Sequence, residues 1–343
     1  LFAAQFVQNP WYPVAEPSDA QASADMADAS RDLTAKLVKL VQAMQEIKAE
    51  EDSRVNSYEI FVNQKQTHIR NSRGVDVTFS GFDCEIEVVT NSRKDDHEIE
   101  IYKDLRFSDK SAEKIIAEVR GMFHTGRQRL NAVPTRQNEH ADVLLSGDAV
   151  GSFFQYFAMH TNASYQYMGV AKAKIGEAIT GADADPLNIR LVPTLDGSAK
   201  NAPYDETGMP VAERVLFENG ICRSYWGSLQ HAHYIGMKNT TSMNNMVVEG
   251  GSKTLDELRS MPHIEITDFS AFDMDAVSGT CGGEIRLAYE SDGTISHPTT
   301  SGSLSARYDD VLKNLTFSKE TQQINNRVVP CAVLLRDVTV AGE

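Results

Sequence analysis

Between Tyr58 and Tyr102 the apolar residues fall on about every second position, a period that suits strands and no helix. Glu59-Ile60-Phe61-Val62, His68-Ile69-Arg70, Val75-Asp76-Val77-Thr78-Phe79, Cys84-Glu85-Ile86-Glu87-Val88 and His97-Glu98-Ile99-Glu100-Ile101-Tyr102 alternate or nearly do. Alternation sends successive side chains to opposite faces. With Asn71-Ser72-Arg73-Gly74 as a turn, the run predicts an antiparallel meander with one wet face. On both flanks the period changes. Leu33, Leu37, Leu40, Val41, Met44 and Ile47 recur at helical spacing, with Ser30 available as N-cap. Ser111 to Phe123 places Ile115, Ile116, Val119 and Met122 on one helical side.

Residues 1–29 hold Asn-Pro, Tyr-Pro and Glu-Pro followed by an Ala/Ser/Asp-rich stretch, which reads as an extended arm or linker. Residues 30–135 then form a mixed helix and antiparallel-sheet N-terminal domain. Past Pro134, Asp142-Val143-Leu144-Leu145 predicts a buried strand and Asp148 to His160 a helix. Strand-like pieces follow, separated by turns at Asp196-Gly197, Glu218-Asn219-Gly220 and Asp292-Gly293. One further helix is expected behind Thr254-Leu255-Asp256-Glu257, which fits a capping box. Residues 136–343 are therefore a β-rich C-terminal domain, and the fold class is α+β.

Charge narrows the partners. The chain carries 48 acidic against 33 basic residues, a net charge of −15. Neutralising phosphate needs clustered Lys and Arg, so no nucleic-acid partner is expected, although Arg120 to Arg129 form a local basic patch. Anionic membranes are disfavoured for the same reason, and no run approaches the roughly 20 apolar residues that span a bilayer. The opening Leu-Phe-Ala-Ala-Gln has no basic start ahead of an apolar stretch. Cys84, Cys222, Cys281 and Cys331 are far apart and form no C-x-x-C pair. The expectation is a cytoplasmic protein with reduced thiols.

The last eighty residues carry an ordered set of motifs. Ile264-Glu265-Ile266-Thr267-Asp268-Phe269-Ser270-Ala271-Phe272 precedes Asp275-Ala276-Val277-Ser278-Gly279-Thr280. Gly282-Gly283-Glu284-Ile285-Arg286-Leu287-Ala288-Tyr289 follows, then Leu312-Lys313-Asn314-Leu315, and the chain closes on Leu335-Arg336-Asp337-Val338-Thr339-Val340-Ala341-Gly342. Upstream stand Phe217-Glu218-Asn219-Gly220-Ile221, Tyr234-Ile235-Gly236-Met237-Lys238-Asn239-Thr240 and Arg70-Asn71-Ser72-Arg73-Gly74. In this order they resemble the TldD/PmbA family over residues 55–343. Members of that family usually carry a further N-terminal segment ahead of the point where this chain begins, so the N-terminal domain is expected to lack its first segment.

The resemblance implies a cytosolic, dimeric, peptide-processing zinc peptidase with His-Glu-x-x-x-His on a helix. Two imidazoles would hold the metal while the Glu acts as general base on its water. The matching stretch here is Gly147-Asp148-Ala149-Val150-Gly151-Ser152. Gly147 and Ser152 stand at the histidine positions, where glycine offers no ligand and a neutral hydroxyl is a poor one for zinc. Asp148 stands at the Glu position with nothing to activate. No cofactor is expected in this chain; zinc belongs to a catalytic partner.

Substitutes are weak. His231-Ala232-His233 would place two imidazoles on one face of a strand, but the plainer reading is two polar residues on a solvated segment. His160 reads as a helix-end histidine whose cation meets the negative dipole end. Cys222 and Cys281 read as packed thiols. Gly279-Thr280-Cys281-Gly282-Gly283 lacks the P-loop lysine and spacing, and fits a tight strand turn or backbone approach to a peptide. Asp183, Asp185, Asp205 and Glu206 read as solvated loop carboxylates.

Three functions are in competition. The first is a non-catalytic PmbA/TldE-like subunit that supplies a dimer interface and part of a channel for extended peptide. Peptide would add to a sheet edge at Ile264–Thr267 or Gly283–Tyr289, with Ile266, Thr267, Asp268, Gly282, Gly283 and Glu284 as contacts. The second is a stand-alone homodimer that binds peptides or a protein partner of the gyrase-modulator type. The third is an atypical metal-dependent hydrolase around Asp148.

Overall fold

A computed structural model of the chain describes residues 11–18, 32–237 and 242–343. Lys238, Asn239 and Thr240 of the sequence motif above, Ser30, and most of the predicted arm lie outside the described residues. Residues 11–18 carry no regular structure. They lie against the first hairpin, where the Asn71 side-chain amide donates to the Ala15 carbonyl at 2.8 Å and Arg73 pairs with Glu16.

The N-terminal module begins with α1 (Leu33–Gln45). Asp32 caps it, its carboxylate accepting the amides of Thr34 and Ala35. The alternating segments fuse into three long strands, β1 (Ser53–Arg70), β2 (Asp76–Lys94) and β3 (His97–Phe107), in the order β1-β2-β3. β1 and β2 pair antiparallel from Ser53 opposite Ser92 to Arg70 opposite Asp76. α2 (Ala112–Leu130), capped by Ser111, runs well past Phe123. Its later face is carried by Gly126, packed on Ser92, so the apolar signal disappears there while the helix continues. α1 and α2 bury Leu40, Met44, Ile115, Val119 and Phe123 against Ile86, Val88, Leu105 and Phe107.

The second module opens with β4 (Val133–Pro134), β5 (Asn138–Ser146), α3 (Ala149–His160) and α4 (Ala163–Met168). Next come β6 (Ile189–Val192), β7 (Arg214–Glu218), β8 (Ile221–Cys222), α5 (Leu229–Tyr234), β9 (Asn245–Val248) and α6 (Leu255–Arg259). The capping box predicted for α6 is formed in full. The chain ends with β10 (His263–Asp275), β11 (Thr280–Ser291), β12 (Ser296–Thr300), β13 (Ser303–Arg307), α7 (Tyr308–Val311), β14 (Thr316–Phe317), β15 (Thr321–Ile324), β16 (Arg327–Pro330) and β17 (Ala332–Ala341). β10 pairs with β5 on one side and β11 on the other, so β10-β5-β17-β13-β11 closes on itself. A second sheet runs β15-β16-β9-β6-β7-β8.

α3 is buried in the main core. Phe153, Phe154, Tyr156 and Phe157 are all fully buried. Phe157 meets Phe217 of β7, Phe154 meets Phe317 of β14, and Tyr156 stacks on Tyr308 at 3.7 Å between centroids. The α+β class, with a β-rich C-terminal region, is thus observed.

Two expectations change. Ile264, Glu265 and Ile266 are bonded to β5 and β11 at once, and Gly283 and Glu284 lie between β10 and β13. At these positions the strands are interior, with no edge left for an incoming peptide; past Ile266, β10 pairs with β11 alone among the described residues. His231-Ala232-His233 is part of α5; residues two apart on a helix point in divergent directions, so the two imidazoles share no face.

Candidate functional site

β5 ends at Ser146, and Gly147 turns the chain into α3 at φ +67, a conformation L side chains avoid. A Cβ at Gly147 would stand 2.5 Å from the Thr267 carbonyl oxygen. The backbone of β10 therefore closes the Gly147 position to any side chain. Ser152 lies one turn along α3 on the side of Asp148. Asp148 occupies the N-cap position but makes no side-chain cap bond; its carboxylate lies 3.5 Å from the Lys103 ammonium.

These residues open onto a cavity of about 500 Å³ between the two modules. Tyr102 and Lys103 of β3 and Glu118 of α2 form one wall; Asp148, Ser152, Thr267 and Asp268 form the other. The register of β10 against β11 shifts between Ile266 and Asp268 and again between Asp268 and Phe269. Such bulges re-aim side chains, and Thr267 and Asp268 both reach the cavity wall. Burial holds the Asp268 carboxyl above the usual range; the Arg129 guanidinium, 3.9 Å away, opposes this, while Asp148 adds to it.

The fold gathers the motif positions Gly147, Asp148 and Ser152 with Thr267 and Asp268 of the predicted contacts. Ile266 is fully buried in the core and does not line the cavity. Gly282 and Gly283 serve close approach of neighbouring strands: a Cβ on either would lie 2.0 Å from a carbonyl oxygen, of Leu304 and Ala271 respectively. Glu284 pairs with Arg286 at 3.2 Å. The fold adds Tyr102, Lys103 and Glu118, which no local motif marks.

A metal fits this cavity poorly. Among the described residues no three of His, Cys, Asp and Glu gather in metal-binding geometry, and the glycine position is closed by backbone. The other candidates are structural. His160 is fully buried, its Nδ1 accepting the Lys172 amide at 3.0 Å. Burial, with the Lys172 charge behind it, pushes its pKa down to about 4, so it is neutral at pH 7 and not the helix-end cation expected. Burial pushes the Cys222 and Cys281 thiols up to about 11 and about 12, as packed cysteines require. None of the four cysteines is in a disulfide. Asp205 is buried, accepting from the Thr207 and Met209 amides, and is not a solvated loop carboxylate; Asp185, half-buried, accepts from the Phe317 amide and the Ser252 hydroxyl. Two arginines of the basic patch are paired with acids: Arg127 with Glu50 and Asp52, and Arg129 with Asp268.

The two modules, the closed ring and the cavity over the α3 N-terminus together define the fold class, an α+β protein with a β-rich C-terminal region. Residues 138–342 match the model of the PmbA/TldA metallopeptidase C-terminal domain, and the chain belongs to the TldD/PmbA family. The fold is shared with solved structures at low identity. TldE from Thermococcus kodakarensis aligns with TM-score 0.77 and 19% identity, over 97% of this chain and 80% of its own. A Thermotoga maritima protein labelled a modulator of a DNA gyrase aligns with TM-score 0.78 and 17% identity, over 99% and 82%. A Bacteroides thetaiotaomicron protein labelled a modulator of DNA gyrase aligns with TM-score 0.70 and 16% identity, over 97% and 76%. No curated protein matches the sequence.

Proposed function

We propose that this chain is a non-catalytic, PmbA/TldE-like member of its family. It holds extended polypeptide in the inter-module cavity, as one subunit of a cytoplasmic, dimeric peptide-processing metallopeptidase whose zinc sits in the partner. The observation that carries this reading is the closure of the Gly147 position by the Thr267 carbonyl. A zinc ligand there requires both a new side chain and a displaced strand.

The peptide-binding half rests on β3. It contributes Ile101, Tyr102 and Lys103 in succession to the cavity, and no strand pairs with its outer edge among the described residues. A free edge offers main-chain hydrogen bonds to an extended peptide whatever its sequence. Thr267 and Asp268 are the contacts from the opposite wall.

The test combines elemental analysis for zinc with a peptidase assay on an unfolded substrate in the same preparation. The reading expects neither metal nor cleavage from the chain alone, and cleavage when a His-Glu-x-x-x-His homologue is added. Stoichiometric zinc with activity from the single chain would sink it in favour of the atypical hydrolase. A stable homodimer that binds peptide and recruits no such homologue would favour the stand-alone binding protein.

A further inference from the structure

Arg327 opens β16 with its guanidinium laid against α3. One terminal nitrogen donates to the Gly151 carbonyl at 3.2 Å, the other to the Gln155 side-chain oxygen at 2.7 Å. Its Nε is buried and has no hydrogen-bond partner. Burial holds the group below the ordinary arginine range, and no acid opposes that shift. An arginine keeps its charge inside a protein, so a cation stands here against neutral acceptors alone. Desolvating a charge without a counter-charge is costly. Tying β16 to α3 needs only a neutral donor, so the packing does not account for the charge.

The neighbouring bases are different. Lys103, in the inter-module cavity, pairs with Asp148. Glu118 lines both that cavity and an adjoining one of about 320 Å³, to which the hairpin ahead of Arg327 contributes Gln323 and Asn325. The bases of the adjoining cavity all meet acids: Arg106 meets Glu85 and Asp104, Lys110 meets Glu118, and Lys114 meets Asp196. Arg327 alone among these has none. Asp148, Ser152 and Gln155 follow at four- and three-residue spacing and share one face of α3. The first two line the inter-module cavity, and Gln155 carries that face onward to Arg327. From Asp148 to Gln155 the helix rises about 10 Å, which an extended polypeptide covers in about three residues.

We propose that Arg327 binds a carboxylate of the polypeptide held in the cavity, either an Asp or Glu side chain or the free C-terminus, about three residues from the part that meets Asp148 and Ser152. The carboxylate supplies the counter-charge that the chain withholds, and it accepts from the guanidinium in a charge-assisted bond. Arg327 is half-buried, so part of its surface stays open to a ligand. The proposal rests on the cavity holding polypeptide, as above, and adds a preference for acidic ligand.

Fluorescence anisotropy on the full chain tests it with short unfolded peptides of Ser, Thr and Val. One is neutral with both ends capped, one series carries a single Asp scanned along it, and one is neutral with a free C-terminal carboxylate. Physiological salt screens the long-range repulsion from a chain of net charge −15. The parent should bind the best Asp peptide, or the free-ended one, about tenfold more tightly than the capped neutral peptide. Which of the two is preferred identifies the source of the carboxylate. Arg327→Gln should bring the ratio to one. Gln155→Glu sets an internal carboxylate on the guanidinium; it should also bring the ratio to one while raising the melting temperature, which keeps the test open if Arg327→Gln fails to fold. A parent that binds neutral and acidic peptides alike overturns the proposal and leaves the functional reading in place. A preference that survives either substitution overturns it as well. No binding of any peptide removes the functional reading and the carboxylate site together.

Discussion

At Gly147 a missing side chain decides more than a present one. Its positive φ and its contact with the Thr267 carbonyl make Gly147→Ala costly: about 1–2 kcal/mol for the left-handed backbone, before β10 shifts to admit the Cβ. Urea unfolding should show a clearly lowered midpoint at unchanged slope; a variant as stable as the parent would mean the turn relaxes freely. Gly147→His with Ser152→His should accordingly bind zinc weakly or not at all, read by titration calorimetry. His160 yields a pH dependence. Its folded pKa of about 4 lies below the unfolded value of about 6.5. The unfolded chain therefore takes up the proton first, and stability is complete above pH 6.5 and drains as pH falls from there toward 4. The depressed pKa corresponds to roughly 3 kcal/mol over that window. His160→Gln should flatten the loss in denaturation measured from pH 7 to 4. That Gly147 and Ser152 offer no zinc ligand was legible in the sequence. The closure at Gly147 was not, because the carbonyl that causes it belongs to a residue 120 positions away in the chain.

Among the elements, α3 carries the main core and α6 is peripheral, and their variants should differ accordingly. Phe157→Ala removes a ring packed against Phe217 and should cost about 3–5 kcal/mol. Thr254→Ala removes one arm of an exposed capping box and should cost about 1 kcal/mol. Thermal melts of the two side by side would expose any misassignment of the core. The elements with a clean period were legible: α1, the first sheet, the start of α2, α3 and the α6 cap. The strand pairings were not. Ile264–Thr267 has the composition of an edge or an interior strand alike, and only the ring closure makes it interior. α5 escaped notice because six residues hold too few apolar positions to set a period, and alternating His-Ala-His imitates a strand.

At the scale of the molecule, two cores meet across a polar cavity. Three ion pairs link the modules, Lys103–Asp148, Lys114–Asp196 and Arg129–Asp268, at 3.5, 3.8 and 3.9 Å, the first of them across the cavity. In each the base comes from the N-terminal module and the acid from the C-terminal one. Pairs this long hold little energy individually, and the exposed ones, Lys103–Asp148 and Lys114–Asp196, are screened by salt. Raising ionic strength should therefore loosen the modules without unfolding either. Hydrogen exchange should show the faces of α2 and β3 that line the cavity opening before the α3 amides; simultaneous opening would indicate a single cooperative unit. Tyr102, Lys103 and Glu118 were illegible for this reason. A site formed by docking two modules leaves no mark in the local pattern of either.

The closed ring also sets a timetable for the nascent chain. β5 emerges from the ribosome long before one of its neighbours, β17: Ser146 pairs with Ala332, and Val143 with Leu335. At about 5–20 residues per second, the gap between them lasts roughly ten to forty seconds. Throughout it Val143, Leu144 and Leu145 present an apolar strand without that neighbour. Removing residues 332–343 deletes β17 outright, so the ring is withheld until that strand has been made.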